Sequence, residues 1–393
     1  MKTKAAATQL THLGEAQRPS LSRPKAPPLI MSSVYSFNSL ADLDNVYEGD
    51  SDGYIYNRMN NPIYDTLKDI MTAVDGGEDA MVYASGMGAI TMTLISQLRT
   101  GDHVVASNAV YGGTYEYFRT EAPRFGFDVT FSEPTAEAME PLIRENTKFI
   151  YIETISNPLI RVTDIQSVSE MAHRRGLKVI VDNTFATPIV CNPLKLGADI
   201  VVYSATKHIC GHSDAMGGIV ISNKEEIKKI WKVGETYGPV MSPFDGWLLA
   251  RSLRTLDVRM RKHSENALKL AKFLEQTGRF TKVNYPGLNS SPSAPIAARQ
   301  FNDNLNGAML SVVLDGDERM AAKLIDQLQL VQLVPSLACV NTTLSYPSRD
   351  SHRYFTDDDL QLAGISRSLI RISVGLEQIE DVIADFDSAL KAL

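Results

Sequence analysis

The sequence contains few cysteines, and their spacing does not suggest pairing. Cys191, Cys210 and Cys339 are the only three among 393 residues, and none belongs to a CxxC motif. An odd number of widely spaced thiols argues against a disulfide framework and against a cysteine-rich zinc site. We therefore expect a protein of the reducing cytoplasm that binds no metal ion.

Long hydrophobic runs are missing as well. One long stretch without a charged residue covers residues 80–98, and polar residues such as Ser85, Thr91 and Ser96 interrupt it. A membrane span needs about 20 predominantly apolar residues, so this stretch instead predicts a buried strand followed by a buried helix. The first residues include lysines but no apolar segment of the kind found in secretory signals. We expect no membrane partner.

The chain has no strong excess of one charge. Its 39 Lys and Arg residues and 46 Asp and Glu residues give a net charge of −7, which argues against nucleic acid as a partner. Hydrophobic residues make up 44% of the chain and charged residues 22%, as is typical of globular proteins. At roughly 150 residues per domain, this length predicts two to three domains.

Patterning divides the chain into three parts. Residues 1–60 show little periodicity, and we expect them to form an arm that packs on another domain or another subunit. Residues 251–393 contain a long helical pattern, two alternating segments and a terminal helical pattern, which predict a smaller C-terminal α/β domain. Residues 61–250 alternate helical periodicity with short apolar runs, which predict strands at 80–84, 103–106, 149–152, 178–181, 200–203 and 218–221.

The apolar runs of residues 61–250 predict the fold of the large domain. Strands that are apolar on both faces and separated by helices are typical of an α/β fold whose mainly parallel sheet is covered on both sides. Such sheets bind ligands at the carboxyl ends of their strands. Candidate functional residues are therefore expected directly after the predicted strands.

A glycine-containing turn follows the first predicted strand. Ser85, Gly86, Met87, Gly88 and Ala89 lie between this strand and an apolar helix, where backbone N–H groups can face an anion. A tight turn without a ligand is the alternative. The third glycine of the GxGxxG fingerprint is absent, which favours a phosphate-sized ligand over a dinucleotide.

Two further candidates follow other predicted strands. Asp182 ends one strand, where a desolvated carboxylate can pair with a protonated ring nitrogen or can cap a helix. Lys207 follows another, with the hydroxyls of Ser204 and Thr206 nearby in sequence. Burial lowers the pKa of a lysine and makes its amine a nucleophile, although a solvated loop end is the alternative for an isolated lysine. A phosphate cradle, a carboxylate and a buried amine together match the requirements of pyridoxal phosphate.

Ordered motifs along the chain resemble the Cys/Met-metabolism family of pyridoxal-phosphate enzymes, the cystathionine and methionine lyases and synthases. The motif around Lys207 is SATKHICGHSDAMGG. The others, in chain order, are YNRMNNP at 56–62, ASGMGAI at 84–90, ETISNP at 153–158, VDNTFATP at 181–188 and RISVGLE at 371–377. The resemblance covers nearly the whole chain and implies fold type I, the aspartate-aminotransferase-like fold.

The resemblance implies a cofactor site shared between subunits. Lys207 would carry the pyridoxal phosphate and shuttle protons, Asp182 would pair with the ring nitrogen, and Tyr111 would stack on the ring and assist the leaving group. Residues of the same subunit would bind the phosphate, and residues of the neighbouring subunit's arm would complete its site. The former are Gly86, Met87, Ser204 and Thr206, and the latter are Tyr56 and Arg58. A homotetramer built from two active dimers is implied.

The resemblance also implies how the amino-acid substrate is held, and where this chain departs from its relatives. Arg371 would bind the substrate carboxylate, assisted by Ser336 and Asn157. Gly113 stands where methionine γ-lyases have a cysteine, and Asn341 stands where many relatives have a glutamate. The segment YPSRDSH at 346–352 replaces HPASMTH, which introduces Arg349 and Asp350 in a loop expected to face the substrate.

The leading functional hypothesis is a carbon–sulfur lyase acting on cystathionine, methionine or a related thioether amino acid. A γ-synthase or an O-acyl-homoserine sulfhydrylase, which performs γ-substitution, is an alternative with the same fold. An NAD-dependent oxidoreductase with a modified glycine turn is a distant alternative, and a catalytically silent pyridoxal-phosphate protein is another.

Overall fold

The computed structural model describes Ser22, residues 24–353 and residues 355–393. Its strands are β1 Asp79–Tyr83, β2 His103–Ser107, β3 Asp128–Ser132, β4 Thr147–Glu153, β5 Lys178–Asp182, β6 Ile200–Ser204, β7 Gly218–Ser222, β8 Phe280–Asn284, β9 Met309–Leu314, β10 Gln332–Leu333, β11 Thr343–Ser345 and β12 Leu369–Ser373. Its α-helices are α1 Leu40–Glu48, α2 Pro62–Asp75, α3 Gly86–Gln97, α4 Gly112–Glu116, α5 Ala122–Phe125, α6 Ala136–Met139, α7 Ile165–Arg174, α8 Thr187–Val190, α9 Lys224–Tyr237, α10 Pro243–Leu253, α11 Leu256–Gln276, α12 Ala294–Gln300, α13 Glu318–Gln327, α14 Asp357–Leu362 and α15 Ile379–Lys391. Short 3-10 and π-helical turns connect some of these elements.

The large sheet has seven strands in the order β1-β7-β6-β5-β4-β2-β3. Strands β2 to β6 are parallel to one another, whereas β7 runs antiparallel to both β1 and β6. The mainly parallel sheet expected from the sequence is confirmed, and each of the six predicted strands overlaps an observed one. Strand β3 escaped prediction because it lies at the sheet edge and most of its residues are only partly buried.

Alternate side chains of the central strands pack into two different hydrophobic cores. In β5, Val179 and Val181 belong to one core, and Ile180 belongs to the other. Successive side chains of a strand point to opposite faces, so helices must cover both sides of this sheet. Helices α2 and α7 contribute to the first core, whereas α3 and α9 contribute to the second. This burial on both faces explains why the strands read as continuous apolar runs.

A second sheet of five strands, in the order β10-β11-β12-β9-β8, forms with α13 and α15 the smaller α/β unit. All of its neighbouring strands are antiparallel except β10 and β11. Helix α11 joins the two parts, since Leu256 and Met260 belong to a core of the large sheet and Leu270 and Leu274 belong to the core of the small one. A domain boundary near residue 250 stays a prediction.

The described part of the predicted arm carries little structure of its own. It contains α1, which has no buried residue, and an isolated bridge between Val34 and Tyr56. Met31, Leu40 and Tyr47 expose 63%, 73% and 59% of their surface. Residues 1–21 and 23, also assigned to the arm, lie outside the described residues. Within the part of the chain that is described, no helix combines the length and the apolar character needed to cross a membrane.

Candidate active site

A cavity of about 280 Å³ lies at the carboxyl ends of the central strands of the large sheet, where the small sheet meets it. Strands β4, β5 and β6 reach it with their last residues, and β12 reaches it from the small sheet. Most of the residues predicted from the sequence line this one cavity, namely Gly86, Met87, Tyr111, Asn157, Asp182, Ser204, Thr206, Lys207, Ser336 and Arg371.

The glycine turn forms one wall of the cavity. Ser85 caps α3, and its Oγ accepts a hydrogen bond of 3.0 Å from the Gly88 N–H. A Cβ on Gly86 would lie 2.6 Å from the Cβ of Ser204, so only glycine allows α3 and β6 to approach so closely. The free N–H groups and dipole of a helix N-terminus favour an anion, and the Ser204 and Thr206 side chains line the same wall.

Lys207 lies in the turn that follows β6. Its Nζ donates a hydrogen bond of 2.9 Å to Ser336 Oγ. Burial lowers the pKa of Lys207, and the nearby charge of Arg371 lowers it further. A lowered pKa increases the neutral fraction of the amine, which is the nucleophilic form.

Asp182 ends β5, and its carboxylate bonds with a single residue, Thr184, in the described part of the chain. Its Oδ1 accepts a bond of 2.9 Å from the Thr184 N–H. Burial raises the pKa of Asp182 to about 6, with the bonds from Thr184 opposing this effect. A cationic partner in the cavity would return this carboxyl to its charged form, because an opposite charge nearby lowers the pKa of an acid.

Glu153 is a site residue that the sequence analysis did not single out. It is the register partner of Asp182 on the neighbouring strand β4, and its Oε1 accepts a hydrogen bond of 2.6 Å from the Tyr111 N–H. Burial raises the pKa of Glu153 well above its usual value, and the charge of Asp182 adds to this. Glu153 thus anchors the backbone at Tyr111, whose side chain lines the cavity and is 43% exposed.

Arg371 projects from β12 into the cavity and is buried. Its Nη1 donates to Asn157 Oδ1 at 2.8 Å, and its Nη2 donates to the Ser336 carbonyl at 3.3 Å. Its Nε has no hydrogen-bond partner among the described residues. Burial lowers the pKa of Arg371 to about 10. A guanidinium held by neutral oxygens and left partly unsatisfied is suited to a carboxylate.

Four predicted site residues lie outside this cavity in the single chain. Arg58 donates to the Glu235 carbonyl at 2.6 Å and packs over the ring of Tyr56. Asn341 is 3.5 Å from Gln332 Oε1, also away from the cavity. Arg349 was expected to face the substrate, but the structure places it elsewhere because its guanidinium pairs with Glu318 at 2.7 Å on an exposed surface.

Several cavity residues were not assigned to the site from the sequence. They are Ser85, Ile90, Glu153, Thr184, Phe185, Met216, Pro335, Leu337 and Ser351. Asp350, which was expected in a loop facing the substrate, lines the cavity as well. Ser85, Glu153 and Thr184 lie inside motifs that the sequence analysis quoted. Their position at or just after the end of a predicted strand could have indicated that they line the site. Pro335 and Leu337 flank Ser336 and lacked any signal of their own.

The cavity residues fit pyridoxal phosphate. The contact between Gly86 and Ser204 leaves the N-terminus of α3 open for a phosphate, Asp182 offers a carboxylate to a ring nitrogen, and Lys207 offers an amine. Within the described ranges, no group of His, Cys, Asp and Glu side chains could hold a metal ion.

Comparison with known proteins gives close matches over nearly the full length. The chain is 38% identical to L-methionine γ-lyase of Porphyromonas gingivalis, covering 94% of this chain and 93% of that protein. It is 39% identical to O-succinylhomoserine sulfhydrylase of Pseudomonas aeruginosa, covering 93% and 90%. It is also 39% identical to cystathionine γ-lyase of Bacillus subtilis, covering 87% and 90%.

A solved structure from Campylobacter jejuni superposes with a TM-score of 0.91 at 30% identity, covering 95% of this chain and 97% of that one. That structure contains N′-pyridoxyl-lysine-5′-monophosphate. The predicted fold type I and the predicted cofactor are confirmed. Residues 7–391 match the family model described as Cys/Met metabolism PLP-dependent enzyme. The chain belongs to the family of pyridoxal-phosphate-dependent enzymes of cysteine and methionine metabolism.

Proposed function

We propose that this protein is a carbon–sulfur lyase, which eliminates a thiol from cystathionine, methionine or a related thioether amino acid. One observation carries the proposal. Ser336 contacts both active groups, because its Oγ accepts from Lys207 Nζ and its carbonyl accepts from Arg371. An amino acid whose carboxylate binds Arg371 therefore has its α-carbon within reach of the Lys207 amine.

The side chains of the cavity divide the reaction between them. Bound pyridoxal phosphate supplies an electron-withdrawing ring that stabilises negative charge at the α-carbon. Arg371 holds the carboxylate, and Lys207 removes the α-proton and, for γ-elimination, a proton from Cβ. Asp182 keeps the ring nitrogen protonated, and Tyr111 gives a proton to the departing sulfur. The C–S bond breaks, the thiol leaves, and hydrolysis of the remaining product releases a 2-keto acid and ammonia.

A γ-substitution is the second candidate. The 39% identity to the sulfhydrylase of Pseudomonas aeruginosa favours it. The same residues could serve a reaction in which a thiol replaces the acyloxy group of a homoserine ester, which leaves from Cγ as a carboxylate. Membership of a pyridoxal-phosphate family leaves the nicotinamide alternative without support.

Identification of the keto acid tests the proposal. The cofactor-loaded protein would be incubated with L-cystathionine, with L-methionine, and with an O-acylhomoserine plus a thiol, and the products would be separated. Pyruvate from cystathionine indicates β-elimination, and 2-oxobutyrate from either thioether indicates γ-elimination. A new thioether without a keto acid would overturn the lyase in favour of the synthase. The Lys207→Ala variant, which should fold and lack turnover, is the control.

We also propose that two chains share each active site. The exposed Tyr56 and Arg58 belong to the arm, whose apolar residues Met31, Leu40 and Tyr47 lack cover in the single chain. Burying these side chains against a second copy would remove apolar area from water, and a homotetramer of two such dimers follows the resemblance. The three free cysteines suit a cytoplasmic location, which is part of the same proposal.

A further inference from the structure

Asp350 places a negative charge in the active-site cavity. It lines this cavity together with Lys207 and Arg371, and it is partly buried. Its carboxylate forms no hydrogen bond or ion pair with another described residue; the bonds it does form belong to its backbone. Burial lowers the pKa of both Lys207 and Arg371, and the charge of Asp350 opposes this effect at both. Asp350 is therefore close enough to influence both cations while paired with neither.

The loop that carries Asp350 is fixed on both sides. The Asp350 N–H donates to the Pro347 carbonyl at 3.2 Å, and the His352 N–H donates to the same carbonyl at 2.9 Å. On the cavity side, a Cβ on Gly112 would meet the Ser351 carbonyl oxygen at 2.5 Å, so the loop packs directly beside Tyr111. On the outer side, the pair between Arg349 and Glu318 directs the Arg349 guanidinium away from the cavity.

Arg371 is not available to neutralise Asp350 when substrate is bound, because the carboxylate of the substrate would occupy its guanidinium. A partly buried carboxylate without a cation is costly. A cationic group on the side chain of the substrate would supply a positive charge to this carboxylate.

We propose that Asp350 selects substrates whose side chain carries an ammonium or another cation beyond the scissile bond. This inference rests on the proposed function and names its substrate class: thioether amino acids with a cationic leaving group. Substrates with neutral leaving groups are disfavoured, and those with anionic ones most of all, since like charges repel at close range. The same charge disfavours an anionic homoserine ester.

Three inert amino acids test the proposal without turnover. L-ornithine, L-norleucine and L-2-aminoadipate share three side-chain methylenes and end in an ammonium, a methyl and a carboxylate, and none carries a leaving group. Their dissociation constants would be measured by calorimetry on the cofactor-loaded protein near neutral pH. We expect ornithine to bind about tenfold more tightly than norleucine, and 2-aminoadipate more weakly than both. Asp350→Asn should reduce the ratio between ornithine and norleucine to about one.

A matched control distinguishes the effect of a charge inside the cavity from that of a charge outside it. Asp358→Asn removes one negative charge from the exposed start of α14, outside the cavity, and should keep the wild-type ratio. Equal affinities of the wild-type protein for ornithine and norleucine would overturn the proposal, as would an unchanged ratio in Asp350→Asn. Because these ligands are not cleaved, the result is independent of the lyase assay. A preference for ornithine in a protein that releases no keto acid would contradict the proposed reaction alone.

Discussion

At the scale of single residues, Asp75 is a buried acid that the active site does not use. It ends α2, and its carboxylate accepts hydrogen bonds from Tyr203 Oη at 2.8 Å and from Asn192 Nδ2 at 3.3 Å. Burial raises the pKa of Asp75 to about 6 from an ordinary value of 3.8, because these bonds only partly replace water. The folded protein therefore keeps a proton on Asp75 at pH values where the unfolded chain has lost it.

The raised pKa of Asp75 predicts a loss of stability as the pH rises. Between pH 3.8 and about 6 the folded state binds more protons than the unfolded state, so the free energy of unfolding falls across this window. The loss amounts to about 3 kcal/mol for a shift of this size. We expect Asp75→Asn to lack this part of the pH dependence in denaturant unfolding measured from pH 4 to pH 7. Asp69→Asn, on the exposed face of the same helix, is the matched control; a variant Asp75→Asn with the wild-type slope would contradict the prediction.

The residues of the cavity show what the sequence could indicate at this scale. Asp182 and Lys207 were predictable because both directly follow apolar runs, and the ends of parallel strands meet at one sheet edge. Arg349 was misplaced because its partner Glu318 is 31 residues away, and a pair so distant in sequence leaves no local pattern. Its neighbour Asp350, which was expected in the same loop, does line the cavity.

At the scale of elements, helix α11 holds the active-site lysine in place. Arg259 is buried on its inner face and donates hydrogen bonds to the carbonyls of His208 at 2.7 Å, Ile209 at 3.2 Å and Ser252 at 3.0 Å. A Cβ on Gly211 would collide with the Arg259 guanidinium, and Gly211 also has a φ of +72°. The turn that carries Lys207 therefore packs directly against the Arg259 guanidinium, which holds it by hydrogen bonds.

Arg259→Ala should destabilise the protein and loosen the turn that carries Lys207. The loss of hydrogen bonds from a charged donor to buried carbonyls predicts a reduction of about 3 kcal/mol in the free energy of unfolding. Arg261→Ala is the control from the same helix, since Arg261 pairs with Asp257 and Asp303 on an exposed face. Exposed pairs contribute about 1 kcal/mol or less. Equal effects of the two substitutions in urea unfolding would contradict this assignment.

In the large sheet, the strands that are buried on both faces were predictable. The central strands read as apolar runs, whereas β8 has no fully buried residue, β10 has two exposed residues, and neither was predicted. Such strands are held by their hydrogen-bonded neighbours β9 and β11, which a local pattern does not reveal. The long helical pattern predicted within residues 251–393 corresponds to α11, which begins at Leu256.

At the scale of the whole molecule, the proposed sharing of sites between subunits can be tested by mixing inactive variants. Lys207→Ala lacks the amine of its own cavity, and Arg58→Ala lacks the arm residue offered to the partner's cavity. Unfolded together in equal amounts and refolded, they should recover about a quarter of wild-type activity, because half of the dimers are mixed and each contains one intact site. Activity would be measured as release of keto acid.

A second mixture is the control for this experiment. Lys207 and Arg371 line the same cavity of one chain, so mixing Lys207→Ala with Arg371→Ala creates no intact site and should recover no activity. Recovery in both mixtures, or in neither, would contradict a site completed by the arm of a second chain.

Helix α11 also restricts how the length of this chain can change. Beyond Arg259 on the same helix, His263 Nδ1 donates to the Val374 carbonyl at 2.7 Å, and Asn266 donates to the Gly375 carbonyl at 3.0 Å. Both carbonyls lie directly beyond the strand that carries Arg371. One residue inserted between Arg259 and His263 would rotate everything beyond it by about 100° and advance it by about 1.5 Å. The lysine turn and the arginine strand would then no longer meet the same helix. We therefore expect that the part of α11 between Arg259 and His263 tolerates no insertion or deletion, although its outward-facing side chains are free to vary.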